Sequence, residues 1–197
     1  MSGLLIAFEG LDQSGKETQA LRLAERLRAE GRRCRVVSFP DYETLIGQEL
    51  RRALAGQREF PPDVMQLLYI ANRHERKPDL ERWLAEGEIL LCDRYAASSI
   101  AYGAAHGLDP EWLTDTQRYL PAAGLTLLLD IRPETAVARK AAGRDRYERD
   151  LALLGRVRES YHRQAAAPGW QRIDGERPPD DVAAAVLSAV RARLARP

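Results

Sequence analysis

Five short apolar runs, at residues 4–8, 34–39, 89–92, 125–131 and 170–173, are separated by longer stretches of helical periodicity. This alternation constrains the fold more than any other feature. Strands that take turns with helices are the pattern of βαβ units and a parallel sheet. The runs are continuous rather than alternating: Leu4-Leu5-Ile6-Ala7-Phe8 and Leu125-Thr126-Leu127-Leu128-Leu129 put apolar side chains on both faces. Such strands are buried on both sides, which requires one layer of helices above them and another below. The expectation is an α/β three-layer sandwich around a five-stranded parallel sheet. At 197 residues, the length fits a single domain over 1–197.

The helical stretches carry their own signals. Ala20, Leu23, Ala24 and Leu27 recur at helical spacing, and Gly31 follows as a stop. Residues 63–84 read as one or two helices with Met65, Leu68 and Tyr69 on one side, Pro78 interrupting the first or starting the second. Pro178-Pro179-Asp180-Asp181 opens a closing helix with acids in its first turn and a stripe of Ala183, Val186, Leu187, Val190 and Leu194.

Thirty Lys plus Arg against twenty-nine Asp plus Glu give a net charge of +1, so no bulk field favours nucleic acid or a membrane surface. Any anion must be held by local groups. Cys34 and Cys92 lie within apolar runs and read as small buried thiols, which suits a reducing compartment. The N-terminal stretch has neither the basic region nor the apolar length of a signal peptide or a membrane span, so a cytoplasmic location is expected.

Residues 8–18 read Phe-Glu-Gly-Leu-Asp-Gln-Ser-Gly-Lys-Glu-Thr, and Gly10, Gly15 and Lys16 fit the spacing G-x-x-x-x-G-K between the first strand and the first helix. In that position a glycine-rich turn aims backbone N–H groups at phosphate oxygens, with a helix N-terminus behind them and a lysine reaching the outer phosphates. Gly10, Leu11, Asp12, Gln13, Ser14, Gly15, Lys16, Glu17 and Thr18 are therefore the expected ATP-binding set. A cation opening a helix opposes the helix dipole, so Lys16 calls for an anionic partner. One such charge pair at about 4 Å is worth about 4 kcal/mol at an effective dielectric near 20. The residue after the lysine, usually a magnesium-binding hydroxyl, is Glu17, with a hydroxyl only at Thr18. Magnesium is thus expected on Glu17, or mostly on Asp93 and the phosphates.

Asp93 and Arg94 end the third apolar run, where ligands of a parallel sheet gather. An acid there can orient magnesium-bound water, and an arginine can bridge the reacting phosphates. Five cations, Arg139, Lys140, Arg144, Arg146 and Arg149, crowd into eleven residues. Such a run is by itself a solvated face. Beside a phosphate turn it reads as a lid at about 139–150, whose arginines close over the moving phosphoryl group, an effect worth about 10³ to 10⁵ in rate in comparable systems.

These residues carry a resemblance. The 8–16 turn, Phe39-Pro40, Leu67-Leu-Tyr-Ile-Ala-Asn-Arg73, Asp93-Arg-Tyr-Ala-Ala-Ser-Ser-Ile-Ala-Tyr102 and Asp145-Arg-Tyr-Glu148 resemble the thymidylate kinases, in order and over most of the chain. The resemblance implies a P-loop NTPase sandwich and transfer of the ATP γ-phosphate to dTMP, giving dTDP for dTTP synthesis, with Mg²⁺ as cofactor and a homodimer as the assembly. It places Asp12 at the sugar 3′-hydroxyl, Tyr69 on thymine, Arg73 on the acceptor nucleotide and Arg94 on its phosphate. Tyr147 would lie against the deoxyribose, and Phe39, Pro40, Ser98, Ser99 and Tyr102 would line the pocket. It makes Lys16, Arg94, Asp93, Arg144 and Arg146 the catalytic set, with Arg139 an alternative lid arginine. Two departures stand out besides Glu17: Ser38 precedes Phe39-Pro40 where some members carry an arginine, and the lid arginines are numerous enough to leave Arg144, Arg146 and Arg139 all open as the catalytic one. Gln13 follows the bacterial style while Asp12 and Phe39-Pro40 follow the eukaryotic one. A kinase for another nucleotide, or a silent nucleotide-binding switch in view of Glu17, are the competing readings.

Overall fold

The computed structural model describes residues 3–139 and 150–195. Strands β1 (Leu4–Glu9), β2 (Cys34–Ser38), β3 (Ile89–Asp93), β4 (Leu125–Asp130) and β5 (Trp170–Asp174) form one parallel sheet in the order β2-β3-β1-β4-β5. The helices are α1 (Lys16–Ala29), α2 (Leu45–Leu54), α3 (Pro62–Ala85), α4 (Ala96–Ala105), α5 (Pro110–Asp115), α6 (Pro133–Arg139), α7 (Leu151–Gln164) and α8 (Pro179–Leu194). The five expected runs are all strands. Four of those strands end in a carboxylate, Glu9, Asp93, Asp130 and Asp174, three of which fall beyond the apolar runs.

Successive side chains of a strand point to opposite faces, and the core follows that rule. Ile6 and Phe8 of β1 pack with Leu91, Leu127 and Leu129 under α1 and α8, whose Leu23, Leu27, Val186 and Val190 are buried. Leu5 and Ala7 face the other way, with Leu90 and Cys92, toward Leu80 of α3 and Tyr95. Leu128 joins Leu153, Val157 and Tyr161 of α7 on that second face. Each buried Leu, Ile or Phe contributes about 1.5–3 kcal/mol, so both helical layers are held by the same strands.

Two local expectations shift. Pro78 neither breaks nor starts a helix: α3 runs through it from Pro62 to Ala85. Its exposed ring forfeits one backbone bond, while buried Asn72, Arg73 and Leu80 anchor the helix on either side. On α8 the fully buried line is Val182, Val186 and Val190, one residue displaced from the expected start at Ala183.

Strand order reverses at β1, with β3 on one side and β4 on the other. The crevice beyond the C-terminal ends of these three strands is where a parallel sheet holds its ligand. Register puts Phe8 of β1 and Ser38 of β2 level with Asp93 of β3, so the turn after β1 and the Asp93-Arg94 corner open side by side.

Candidate active site

The turn between β1 and α1 is shaped by its glycines. Gly10 has φ +139, and a Cβ there would sit 2.5 Å from the Leu129 carbonyl oxygen, so only glycine lets the chain leave β1 against β4. Gln13 and Gly15 are also left-handed, at φ 62 and 91. Within the turn Ser14 N–H donates to Leu11 O at 3.2 Å, and Lys16 Nζ donates to Leu11 O at 2.8 Å and Ser14 Oγ at 3.4 Å. Lys16 is only 6% exposed, and Glu17 and Thr18 after it face solvent.

Burial, with Arg94 nearby, pushes the Lys16 ammonium down to about 8, against the pull of Asp12, Asp93 and Glu9. The free chain therefore loses that charge as pH rises through about 8, whereas a triphosphate, the ligand expected of this turn, would favour the protonated form. KM for ATP should be flat below pH 8 and rise toward about tenfold per unit above it. Initial rates at saturating acceptor between pH 6.5 and 9.5 check this, and a flat profile would contradict it.

A pocket opens beside the turn. Asp12, Phe39, Pro40, Tyr69, Arg73, Arg94, Ser98, Ser99 and Tyr102 are among the residues that line it. Every acceptor-side residue expected from the sequence within the described range is thus brought together. Tyr147, Arg144 and Arg146 lie outside the described residues.

Arg94 joins this pocket to the turn. Its backbone is left-handed at φ 63, and its N–H donates to Phe8 O at 2.9 Å. Nη2 donates to Asp12 Oδ1 at 2.6 Å, and Nη1 reaches Ser98 Oγ at 3.1 Å and Gly10 O at 3.3 Å. Tyr102 donates its hydroxyl to Asp12 Oδ2 at 3.0 Å. Burial raises the Asp12 carboxyl, but Arg94 and Lys16 outweigh it and hold the group well below the usual carboxylate range. The pair presents a fixed cation and a fixed anion on adjoining surfaces.

Deeper in the pocket, Arg73 is 2% exposed and donates from Nη1 to Ser99 Oγ at 2.9 Å and Gln117 Oε1 at 3.1 Å. Its Nε is buried without a partner, a donor suited to a ligand oxygen. The neighbouring wall is braced by Asn72: its Oδ1 accepts from Asp41 N–H at 2.8 Å and its Nδ2 donates to Thr44 Oγ1 at 2.8 Å. That fixes the segment after Pro40 against α3.

Asp93 Oδ1 is likewise buried without a partner, and Lys16 feels its charge. A carboxylate oxygen so placed fits a hydrated divalent cation. Among the described residues no group of three or more His, Cys, Asp or Glu could hold a metal ion by themselves. On the donor side Arg139, the last residue of α6, donates to Gln13 O at 3.3 Å and Gly175 O at 2.9 Å, tying the phosphate turn to the β5–α8 connection.

Glu9, Gln117 and Tyr161 contribute to the site and were not among the expected residues. Glu9 follows five apolar residues directly, a pattern of a strand end; the available signal was a carboxylate placed between a buried strand and a glycine turn.

The thymidylate kinase family model matches residues 8–186. Relatives named thymidylate kinase include the human protein, 33% identical over 178 residues with 89% of this chain and 84% of that one covered. That of Thermomicrobium roseum is 38% identical over 200 residues, covering 94% and 93%. The Arabidopsis thaliana protein is 40% identical over 147 residues, a match that takes in 75% of this chain and 56% of that one. The solved thymidylate kinase of Candida albicans superposes with a TM-score of 0.87 at 28% identity, covering 98% of this chain and 93% of its own. With the phosphate turn, the Asp12–Arg94 pocket and this match to 8–186 in agreement, the chain belongs to the thymidylate kinase family.

Proposed function

We propose that ATP and dTMP meet across the corner where the 10–18 turn and Arg94 adjoin, with the donor phosphates on the turn and the acceptor in the pocket of Tyr69 and Arg73. The chain is a kinase that phosphorylates dTMP; the geometry supports the following allotment of roles. The observation that carries the allotment is Arg94, whose guanidinium touches both Gly10 of the turn and Asp12, Ser98 and Tyr102 of the pocket. A cation at that junction stabilises negative charge on a phosphoryl group in transit between the two sides.

Lys16 and the amides of residues 12–18 hold the donor, and Asp12 and Tyr102 meet the acceptor sugar. Phe39, Pro40 and Tyr69 enclose the base, and Ser98 and Ser99 close the pocket. Mg²⁺, held by Asp93 and the phosphates, with Glu17 reaching it through water, would neutralise phosphate charge. Arg139 stands beside the donor turn, and Arg144, Arg146 and Tyr147 complete the proposal from the arginine-rich segment. Phosphoryl transfer needs no covalent enzyme intermediate, so positioning and charge account for catalysis.

No helix among the described residues is long and apolar enough to cross a membrane. A cytoplasmic homodimer is part of the proposal. Buried free Cys34 and Cys92 suit a reducing compartment, and Leu67 of α3 and Tyr119, 42% and 65% exposed, supply apolar surface for a second copy.

A coupled assay with ATP and magnesium across dTMP, dUMP, UMP, CMP, AMP and thymidine tests the substrate assignment. dTMP should be fastest, with dUMP lower by about 10- to 200-fold, since one methyl in an apolar pocket is worth about 1–3 kcal/mol. A preference for a purine or for thymidine would overturn it.

A further inference from the structure

We propose that Glu9 is a positioning residue for Arg94, setting the guanidinium in the orientation that receives the acceptor phosphate; this rests on the role given to Arg94 above. Glu9 ends β1, is wholly buried and does not line the pocket itself; among the described residues it meets the pocket only through Ser98. Its carboxylate accepts three. Tyr95 N–H donates to Oε1 at 2.9 Å, while Ser98 Oγ at 2.6 Å and Tyr161 OH at 3.0 Å donate to Oε2.

Each of these bonds acts on Arg94. Tyr95 is the next residue, so capturing its N–H fixes the peptide that follows the left-handed Arg94 backbone at φ 63. A non-glycine residue persists there only when its surroundings over-determine it. The two hydroxyls then set polarity. An ionised carboxylate only accepts, so a hydroxyl bonded to it gives its proton to Glu9; Ser98 Oγ and Tyr161 OH also lie 2.9 Å apart, so the two hydroxyls and the carboxylate form one network with lone pairs left over. Arg94 Nη1 donates into those lone pairs, at 3.1 Å to Ser98 Oγ and 3.4 Å to Tyr161 OH. Glu9 thus reaches Arg94 through one backbone bond and two hydroxyl relays, and the second relay comes from α7, far along the chain.

Burial outweighs the Ser98 hydrogen bond, Arg94 and Arg73 and leaves the Glu9 carboxyl above its ordinary value, so the backbone bond from Tyr95 and the shape of the network carry the positioning role. Glutamine matches the shape but inverts the polarity. An amide nitrogen facing the hydroxyls would take up lone pairs that Arg94 Nη1 uses and remove the acceptor for their protons; facing Tyr95 N–H instead, it would break the backbone bond. Either orientation releases the guanidinium.

The test compares Glu9→Gln, Tyr161→Phe and Arg94→Lys with the unaltered chain, measuring KM for dTMP, KM for ATP, kcat and melting temperature. Glu9→Gln should raise KM for dTMP about tenfold or more while KM for ATP stays within about twofold, and Tyr161→Phe, which removes one relay, should move the same constant about threefold. An equal rise in both KM values, or an unchanged KM for dTMP in folded Glu9→Gln, would overturn the positioning role. If Glu9→Gln fails to fold, Tyr161→Phe decides by the same criterion. Arg94→Lys separates the two layers: a raised KM for dTMP there with none in the Glu9 and Tyr161 variants sinks the positioning role alone, and no rise in Arg94→Lys sinks the role of Arg94 and the proposal with it.

Discussion

Replacing Lys16 by alanine should leave a folded protein whose turnover is lower by about 10³-fold, the rate equivalent of about 4 kcal/mol for one ammonium–phosphate pair. Folding should survive because the ammonium stabilises the free chain little. It is buried at the start of a helix, where the dipole opposes it, and its hydrogen bonds go to Leu11 O and Ser14 Oγ within the same turn. Removing a desolvated cation costs those contacts but also lifts a burial penalty. Circular dichroism and a thermal melt establish the fold, and single-turnover rates with saturating nucleotides give the loss. Turnover within about threefold of the unaltered chain would remove Lys16 from the phosphate site.

Arginine 94 gives the second large effect. Arg94→Lys keeps a positive charge but loses the planar fork that lets Nη2 hold Asp12 while Nη1 reaches Gly10 and Ser98. kcat/KM for dTMP should fall about 10²-fold, corresponding to about 2.7 kcal/mol, with both kcat and KM moving because the guanidinium lies at the meeting point of donor and acceptor. Lysine is more informative than alanine here. Alanine would also strand the Asp12 carboxylate, which Arg94 holds ionised, and a loss of stability would then obscure the kinetics. Full steady-state kinetics with each substrate varied check the expectation, and an unchanged kcat/KM for dTMP would contradict it.

The sheet was legible because burial on both faces leaves continuous apolar runs, and the phosphate turn because its backbone needs glycine at positions a side chain cannot occupy, as the Gly10 contact with Leu129 O shows. The pocket was legible mainly through resemblance; spacing alone does not bring Arg73 of α3 beside Ser99 of α4. Other features were hidden for identifiable physical reasons. Ladder hydrogen bonds involve only the backbone, so the strands continue into Glu9, Asp93 and Asp174, where the apolar pattern has stopped. Helix α3 crosses Pro78 because tertiary anchors on both sides outweigh one lost bond. The service of Glu9 depends on Tyr161, 152 residues away, and no local pattern carries that pairing.

The division into a donor turn and an acceptor pocket is tested most directly by a crystal structure of the chain with a non-hydrolysable ATP analogue and dTMP. The expected map has the triphosphate on the amides of residues 12–18 with Lys16 against its outer phosphates, thymine on Tyr69 and the dTMP phosphate on Arg94. Density for either nucleotide elsewhere, with the turn and the pocket both bare, would contradict it.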